Sequence, residues 1–427
     1  MVNNWEETAL GDVFKVNHGF AFKGEYFTEV EKKTVLVTPG NFAAGGGFQN
    51  QKPKYYDGPY PEDYVLTPGQ VVITMTDLSK GSDTLGYAAI IPDDGNIWLH
   101  NQRIGLVELL DESRADLVFI NYLLRTHEYR SWIIGSASGT TVKHTSPGRI
   151  EKYRCRIPPL HEQRAIAHIL GSLDDKIELN RQMAQTLESI ARAIFKSWFV
   201  DFDPVKAKME GKQPEGMTEE IAALFPDRLV DSELGMIPEG WEYKALGDMI
   251  NIFDSKRIPL SRSQRKARQG KYPYYGATSI MDYVDDYIFD GVYVLIGEDG
   301  SVKKPDGTPF LQYVSGKIWV NNHAHVIQGK RLVTSEYIYL FLSRFNIGPF
   351  ITGAVQPKLN QGNLKLIPII SPDDKIMELF NETISIVFKK IICLQKECKT
   401  LQGLRDTLLP QLISGKIRVN QPEDAAA

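Results

Sequence analysis

Seven basic side chains and no acid fall within SKRIPLSRSQRKARQGK, residues 255–271: Lys256, Arg257, Arg262, Arg265, Lys266, Arg268 and Lys271. The aromatic run YPYYG follows at 272–276. Guanidinium and ammonium groups interleaved with hydroxyls and amides suit phosphate oxygens and base edges, with Arg and Lys reading guanine and Gln or Asn reading adenine. A charge run of this kind is also what a solvated loop looks like, and charge alone leaves both readings open. Four smaller polar-basic loops offer the same chemistry. They are TDLSKGS at 76–82 with Lys80, TTVKHTS at 140–146 with Lys143, His144 and Ser146, GSVKKPDG at 300–307 with Lys303 and Lys304, and QPKLNQG at 356–362 with Lys358 and Gln361. NHGFAFKGEYF at 17–27, the counterpart of the basic run in the N-terminal half, is far less basic.

Residues for bond-making chemistry do not assemble in the same way. Every Gly-Lys pair is followed by Gln, Tyr, Arg or Ile, so no GxxxxGK[ST] phosphate loop is present, and neither HExxH nor GxSxG occurs. His323 and His325 lie in a strand-like segment with no acidic or cysteine ligand set near them in sequence. His100 and His144 read as surface hydrogen-bonding residues. An adenine methyltransferase is expected to carry an [DN]PP[YF] tetrapeptide, and the only Pro-Pro here is IPPL at 157–160. The chain reads as non-catalytic and as holding no metal or cofactor of its own.

Bulk composition sets the frame. A chain of 427 residues, 42% hydrophobic and 24% charged, is long enough for two or three domains with real cores. A net charge of −4 means that any basic surface is local. Cys155, Cys393 and Cys398 form no CxxC pair, which suggests neither a disulfide framework nor a zinc cluster, and a reducing compartment is the natural reading. With no export-type start and no run of about eighteen apolar residues, a cytoplasmic protein is expected.

The loops are positioned by a duplicated frame. WEETALGD at 5–12 returns as WEYKALGD at 241–248, WLHNQ at 98–102 as WVNNH at 319–323, and Tyr122 in INYLL as Tyr339 in IYLFL. Gly139, Gly148 and Pro158 match Gly353, Gly362 and Pro372. The offset falls from 236 to 214 along the chain in fixed order, as expected of a tandem copy with shorter loops. In each copy the first part carries Gly, Pro, Tyr and short β-branched runs such as VVIT at 71–74 and VYVLI at 292–296, with one helical stretch, 117–125 or 336–344. These signals predict an α+β head.

The second part of each copy is a heptad seam. In the first it runs through Ile166, Leu170, Leu173, Ile177, Asn180, Ala184, Leu187, Ala191, Ile194 and Trp198. In the second, in phase, it runs through Phe380, Ile384, Val387, Ile391, Leu394, Cys398, Leu401, Arg405, Leu408 and Leu412, broken only by Arg405. Spacing that alternates four and three predicts long helices that pack along their length, as an antiparallel pair about 60 Å long. The alternative is an ordinary amphipathic core helix in each domain. Asn180 reads equally as a register-setting buried amide or as a residue facing water. The expected boundaries are a head at 1–157, a helix at 158–203, a linker at 204–236, a second head at 237–371, a second helix at 372–416 and a tail at 417–427.

IPPLHEQRAIAHILGSLDDKIELNRQMAQTLESIARAIFKSWFVDFDPVKAKMEG at 157–211, with IPEGWEYKALGD at 237–248 and IGEDGS at 296–301, resembles the specificity subunits of bacterial type I restriction-modification systems. The likeness runs over essentially the whole chain. It implies two α+β target recognition domains, each reading one half of a split double-stranded DNA target. It also implies an antiparallel coiled coil that sets the gap between the halves and docks two modification subunits, which methylate adenine at N6. Restriction subunits would join them, with S-adenosylmethionine, ATP and Mg held by the partners. Five basic against seven acidic residues over 160–203 suit a protein-facing helix. The DNA-contact residues above come from charge and loop position, since recognition domains vary within the family. A two-headed scaffold that reads no DNA, and a self-sufficient DNA enzyme, are the competing classes.

Overall fold

The computed structural model describes residues 5–419 except 51, 78, 80, 140, 141 and 354. The chain divides into two compact units, one made of the residues up to Leu179 together with those from Glu397 onward, the other of Asn180–Lys396.

In the first unit, a four-stranded sheet has the order Phe14–His18, Ile104–Leu109, Val71–Thr74, Ala88–Ile90, antiparallel throughout. A five-stranded sheet joins short strands around Ile97–His100, which runs parallel to Thr34–Val37. The near-continuous apolar run VVIT is buried along its whole length, as a strand covered on both faces must be. A helix at Leu117–Leu123, capped by the Asp116 carboxylate on the Phe119 N–H, closes one side of the core with Phe119 and Ile120 fully buried.

The second unit repeats this frame. Its six-stranded sheet has the order Ile250–Ile252, Ala324–Gly329, Phe289–Gly297, Leu311–Val320, Gln269–Tyr275, Ile280–Val284, so its first four strands follow the order of the first unit's four-stranded sheet. The matching helix is Ser335–Leu342, capped by Thr334. In both units a two-stranded antiparallel ribbon leads into a long helix: Glu6–Ala9 pairs with Arg154–Ile157, and Glu242–Ala245 with Pro368–Ser371.

The long helices are Leu160–Phe199 and Asp374–Ile413, 40 residues each. Pro158 and Pro159 precede the first, and the Asp373 carboxylate caps the second by accepting from the Lys375 N–H. Just past the end of the first, Phe202 takes a left-handed backbone (φ 56°) that turns the chain into the helix Asp203–Met209. Each helix contributes one end to each unit. In the first unit Ile166, Leu170, Leu409 and Leu412 belong to the same buried core as Trp5, Phe14 and Ile120. In the second, Phe195, Trp198, Phe199, Phe380 and Ile384 belong to the core of Trp241, Val294 and Tyr337.

The 204–236 stretch has linker composition, yet it folds. Helices at Asp203–Met209 and Glu219–Leu224 and a strand Leu229–Val230 paired with Ile237–Pro238 fill it. Three apolar side chains decide this: Phe202, Val205 and Phe225 bury themselves beside Trp198 and Trp241, with ring centroids 5.9 Å apart for Phe202–Trp241 and 5.1 Å for Trp198–Phe225.

Candidate nucleic-acid interface

The basic run 255–271 becomes a turn, a helix Arg262–Ala267 and the start of the strand Gln269–Tyr275. The helix starts where Ser261 and Gln264 cap one another, Ser261 Oγ accepting from the Gln264 N–H and Gln264 Oε1 from the Ser261 N–H. This geometry sorts the seven cations. Arg257 points inward: Nη1 donates to Glu298 Oε2 at 2.7 Å and to the Ala324 carbonyl at 2.6 Å, and its side chain is 11% exposed. Arg265 donates to the Leu260 carbonyl at 2.7 Å, pairs with Asp282 and lies over the Tyr274 ring. Arg268 pairs with Asp285 and covers the Trp319 ring. Each of these three is thus engaged within the domain itself. Lys256, Arg262, Lys266 and Lys271 are exposed, and none has an ion-pair partner among the described residues.

The smaller loops meet in corresponding pairs. In the first unit Lys143–His144 forms a strand against Thr76–Asp77, with His144 Nδ1 3.2 Å from Thr76 Oγ1. Ser146, exposed, is the residue before the helix Pro147–Glu151. Lys80 lies outside the described residues. In the second unit Asp299 bridges to Lys358, and the Gly300 N–H donates to the Pro357 carbonyl, joining the 300–307 and 356–362 loops in the same way. Lys303 and Lys304 are exposed in their turn, and Lys358 Nζ is 3.5 Å from Glu298. Gln361 opens the helix Gln361–Lys365 and donates Nε2 to Asp254 Oδ2 at 2.6 Å.

Buried acids that sequence reading missed organise both loop pairs. Asp77, 2% exposed, accepts from the Ser79, Thr84 and Leu85 N–H groups and from Thr84 Oγ1. Burial alone would raise its carboxyl, but the Thr84 and Ser79 donors outweigh that and hold it below the usual carboxylate range. Buried Arg130 donates to the Leu85 and Ser82 carbonyls beneath the same loop. In the second unit the acids are Asp254 and Glu298. His325, which sequence proximity left without acidic neighbours, lies fully buried against both, its Nδ1 2.5 Å from Asp254 Oδ2 and 3.6 Å from Glu298 Oε2. His323 likewise meets Asp299. The signal was out of reach in sequence because 71 residues separate Asp254 from His325. His100 is also corrected: it is 3% exposed, with Nε2 on the Ile104 carbonyl at 2.9 Å.

Asp254, Glu298 and His325 each offer a ligand atom within 4.8 Å of the others. The donor set does not suit a cation, however, because the Arg257 guanidinium already bonds Glu298 and stands 3.5 Å from Asp254, while Gln361 and the Val326 N–H take further Asp254 lone pairs. The cluster is an ion-pair network.

In the helix seam, Ile166, Leu170, Ile177, Trp198, Phe380, Ile384, Ile391, Leu394 and Leu412 are buried, and Leu173, Leu187, Ile194, Val387, Leu401 and Leu408 are half-buried. Phe195, Phe199, Phe388 and Leu409 lie outside the heptad seam and are buried as well, since the helix ends face a wide core rather than a single partner. Asp174 meets Arg405, and three residues further on Ile177 meets Cys398, so the second long helix runs the opposite way to the first. Arg405, the one break in the seam, has a reason. Asp174 accepts from Arg405 Nη1, from Arg125 Nη1 at 3.0 Å and from Tyr122 Oη at 2.8 Å. Burial pushes the Asp174 carboxyl up, and Arg125 and Arg405 more than reverse it, leaving it below its ordinary value. Asn180 is fully buried, and neither amide atom has a hydrogen-bond partner among the described residues.

A family model described as the type I restriction modification DNA specificity domain matches residues 3–189 and 238–401, which is most of both copies. The type I restriction enzyme HindI specificity subunit of Haemophilus influenzae is 26% identical over 97% of this chain and 100% of its own length. The MjaIX specificity subunit of Methanocaldococcus jannaschii is 26% identical over 85% and 79%. A putative specificity subunit of H. influenzae reaches 40% identity over 31% of this chain and 33% of its own. Among solved structures, the S subunit of a type I restriction-modification system from M. genitalium aligns over 99% of both chains with a TM-score of 0.57 at 16% identity, a likeness of fold. Two copies of one α+β frame, each tied to a long helix and each matched by the same family model, make this chain a member of the type I restriction-modification DNA specificity family.

Proposed function

We propose that each unit reads one half of a bipartite double-stranded DNA target, and that the paired helices set the spacing between the halves and dock the modification subunits. The observation that carries this reading is the duplication itself: each copy brings two corresponding polar-basic loops together on a strand frame of the same order. Lys256, Arg262, Lys266 and Lys271 supply the free cations of the second unit, and Lys143, His144 and Ser146 the polar edge of the first. On this reading the chain performs no chemistry. Adenine N6 methylation with S-adenosylmethionine, and ATP- and Mg-dependent translocation and cleavage, belong to the modification and restriction subunits. The place of action is the cytoplasm; among the described residues no helix is long and apolar enough to cross a membrane.

A genome-wide N6-methyladenine map of the host with and without the gene tests this. Loss of one split, asymmetric motif on deletion is the expected result and delivers both half-sites. An unchanged map in a host whose modification subunits are expressed and active would overturn it in favour of a scaffold that grips something else.

A further inference from the structure

Four segments of the second unit converge on His325. Asp254 comes from the turn that opens the basic run, Glu298 from the end of the strand Phe289–Gly297, Leu359 from the 356–362 loop, and His325 itself from the strand Ala324–Gly329. Both imidazole nitrogens face acceptors: Nδ1 the Asp254 carboxylate and Nε2 the Leu359 carbonyl at 2.7 Å. Each ring nitrogen thus ties His325 to a different segment of the chain. Asp254 and Glu298 face the ring, Arg257 stands behind both acids, Lys358 approaches Glu298 from outside, and Gln361 completes the Asp254 shell. In the first copy the residue matching His325 is Ile104, by the aligned WLHNQ and WVNNH segments, and offers no such contacts.

We infer that His325 is a positioning residue for specificity: it ties the 254–257 turn to the 356–362 loop and thereby sets how the second unit presents its recognition loops. This rests on the DNA-reading function proposed above. The ring touches no solvent, so it acts only through the loops it holds, and losing its Nε2 contact frees the loop at Leu359 while leaving the first unit untouched. A hydrogen bond with one charged partner in a buried site is among the stronger single contacts, so base discrimination by the second unit should fall by about tenfold or more.

The test uses the full chain with its own modification subunits in the host, comparing methylation maps of the wild type, His325→Gln and Asp254→Asn. The expected result is a motif in which one half becomes degenerate and the other keeps its bases. Two intact halves, or equal relaxation of both, would overturn the inference. If His325→Gln abolishes methylation altogether, hydrogen exchange of the purified variant shows whether it folds, and the isosteric Asp254→Asn decides by the same criterion. A wild-type map without any split motif would instead sink the DNA-reading function and is distinguishable on that ground.

Discussion

Replacing Asp174 by alanine isolates the most consequential polar contact in the first unit. Its carboxylate takes three donors, Tyr122 Oη, Arg125 Nη1 and Arg405 Nη1. Arg125 is the vulnerable partner: its side chain is 3% exposed, and besides Asp174 it reaches the Gly45 carbonyl, at 3.0 Å through Nε, and lies over the Tyr122 ring. Arg405 keeps Asp406 and is less exposed to loss. Removing one partner of a buried pair costs about 3–5 kcal/mol, because the remaining charge has no replacement for the water it gave up. For a unit of about 200 residues this lowers the melting temperature by roughly 6–20 °C. The second unit offers the matching control, since it carries Leu342, Phe388 and Ala191 where the first has Arg125, Asp174 and Arg405, and all three are buried. The triple change Arg125→Leu, Asp174→Phe, Arg405→Ala therefore trades the ion network for the apolar packing that the second unit already uses, and should recover most of the loss. The pH dependence follows from the sign of the shift. Asp174 has a depressed folded-state value, so its contribution is complete above the unfolded carboxyl value of about 4 and disappears as pH falls through the folded one. The wild type and Asp174→Ala should thus differ by a constant amount from about pH 5 to 8 and converge in acid. Urea unfolding of the full chain, with hydrogen exchange followed in the segment 117–125, reads all three outcomes. A cost under about 1 kcal/mol at pH 7, or a difference that grows in acid, would refute the argument.

Other expectations are separable from this one. Asn180→Leu should stabilise the chain by about 2 kcal/mol, since it removes two unpaired buried amide atoms and adds apolar area; a lower melting temperature would show that the amide has a structural use. Charge reversal at Arg262 and Lys266 should weaken DNA binding and flatten its salt dependence with little change in melting temperature, whereas Arg265→Glu should chiefly destabilise the second unit, and the opposite pattern would reverse the assignment of these residues. Deleting one heptad from each long helix should change the spacer of the methylated motif and leave its half-sites unchanged, and altered half-sites with the old spacer would remove the helices from the measuring role.

Much of this molecule follows from local pattern. The tandem repeat, the α+β heads and the two long helices are written as collinear motifs and as heptads, because periodicity of 3.6 or 2 is a property of neighbours in the chain. The seam positions from Ile166 to Leu412 emerge from that spacing alone. The candidate interface was legible only as charge. Which of seven cations face outward depended on acids brought from elsewhere in the fold: Glu298 turns Arg257 inward, and Asp282 and Asp285 take Arg265 and Arg268. A basic count therefore overstates a basic surface. The 204–236 stretch misled for a related reason, since Phe202, Val205 and Phe225 are too sparse to form a pattern yet find Trp198 and Trp241 waiting in the second unit.

By itself, then, the sequence determined the duplication, the class of fold and, through its long family-like motifs, the specificity role, all of which reside in residues close together or in fixed order. Only tertiary structure decided which side chains are available to a partner and which are consumed within the protein. It showed Arg405 completing Asp174, His325 enclosed by Asp254 and Leu359, and Asn180 buried without a bond. The physical reason is that burial and ion pairing are set by distance in space, and those pairs join residues between 34 and 231 positions apart.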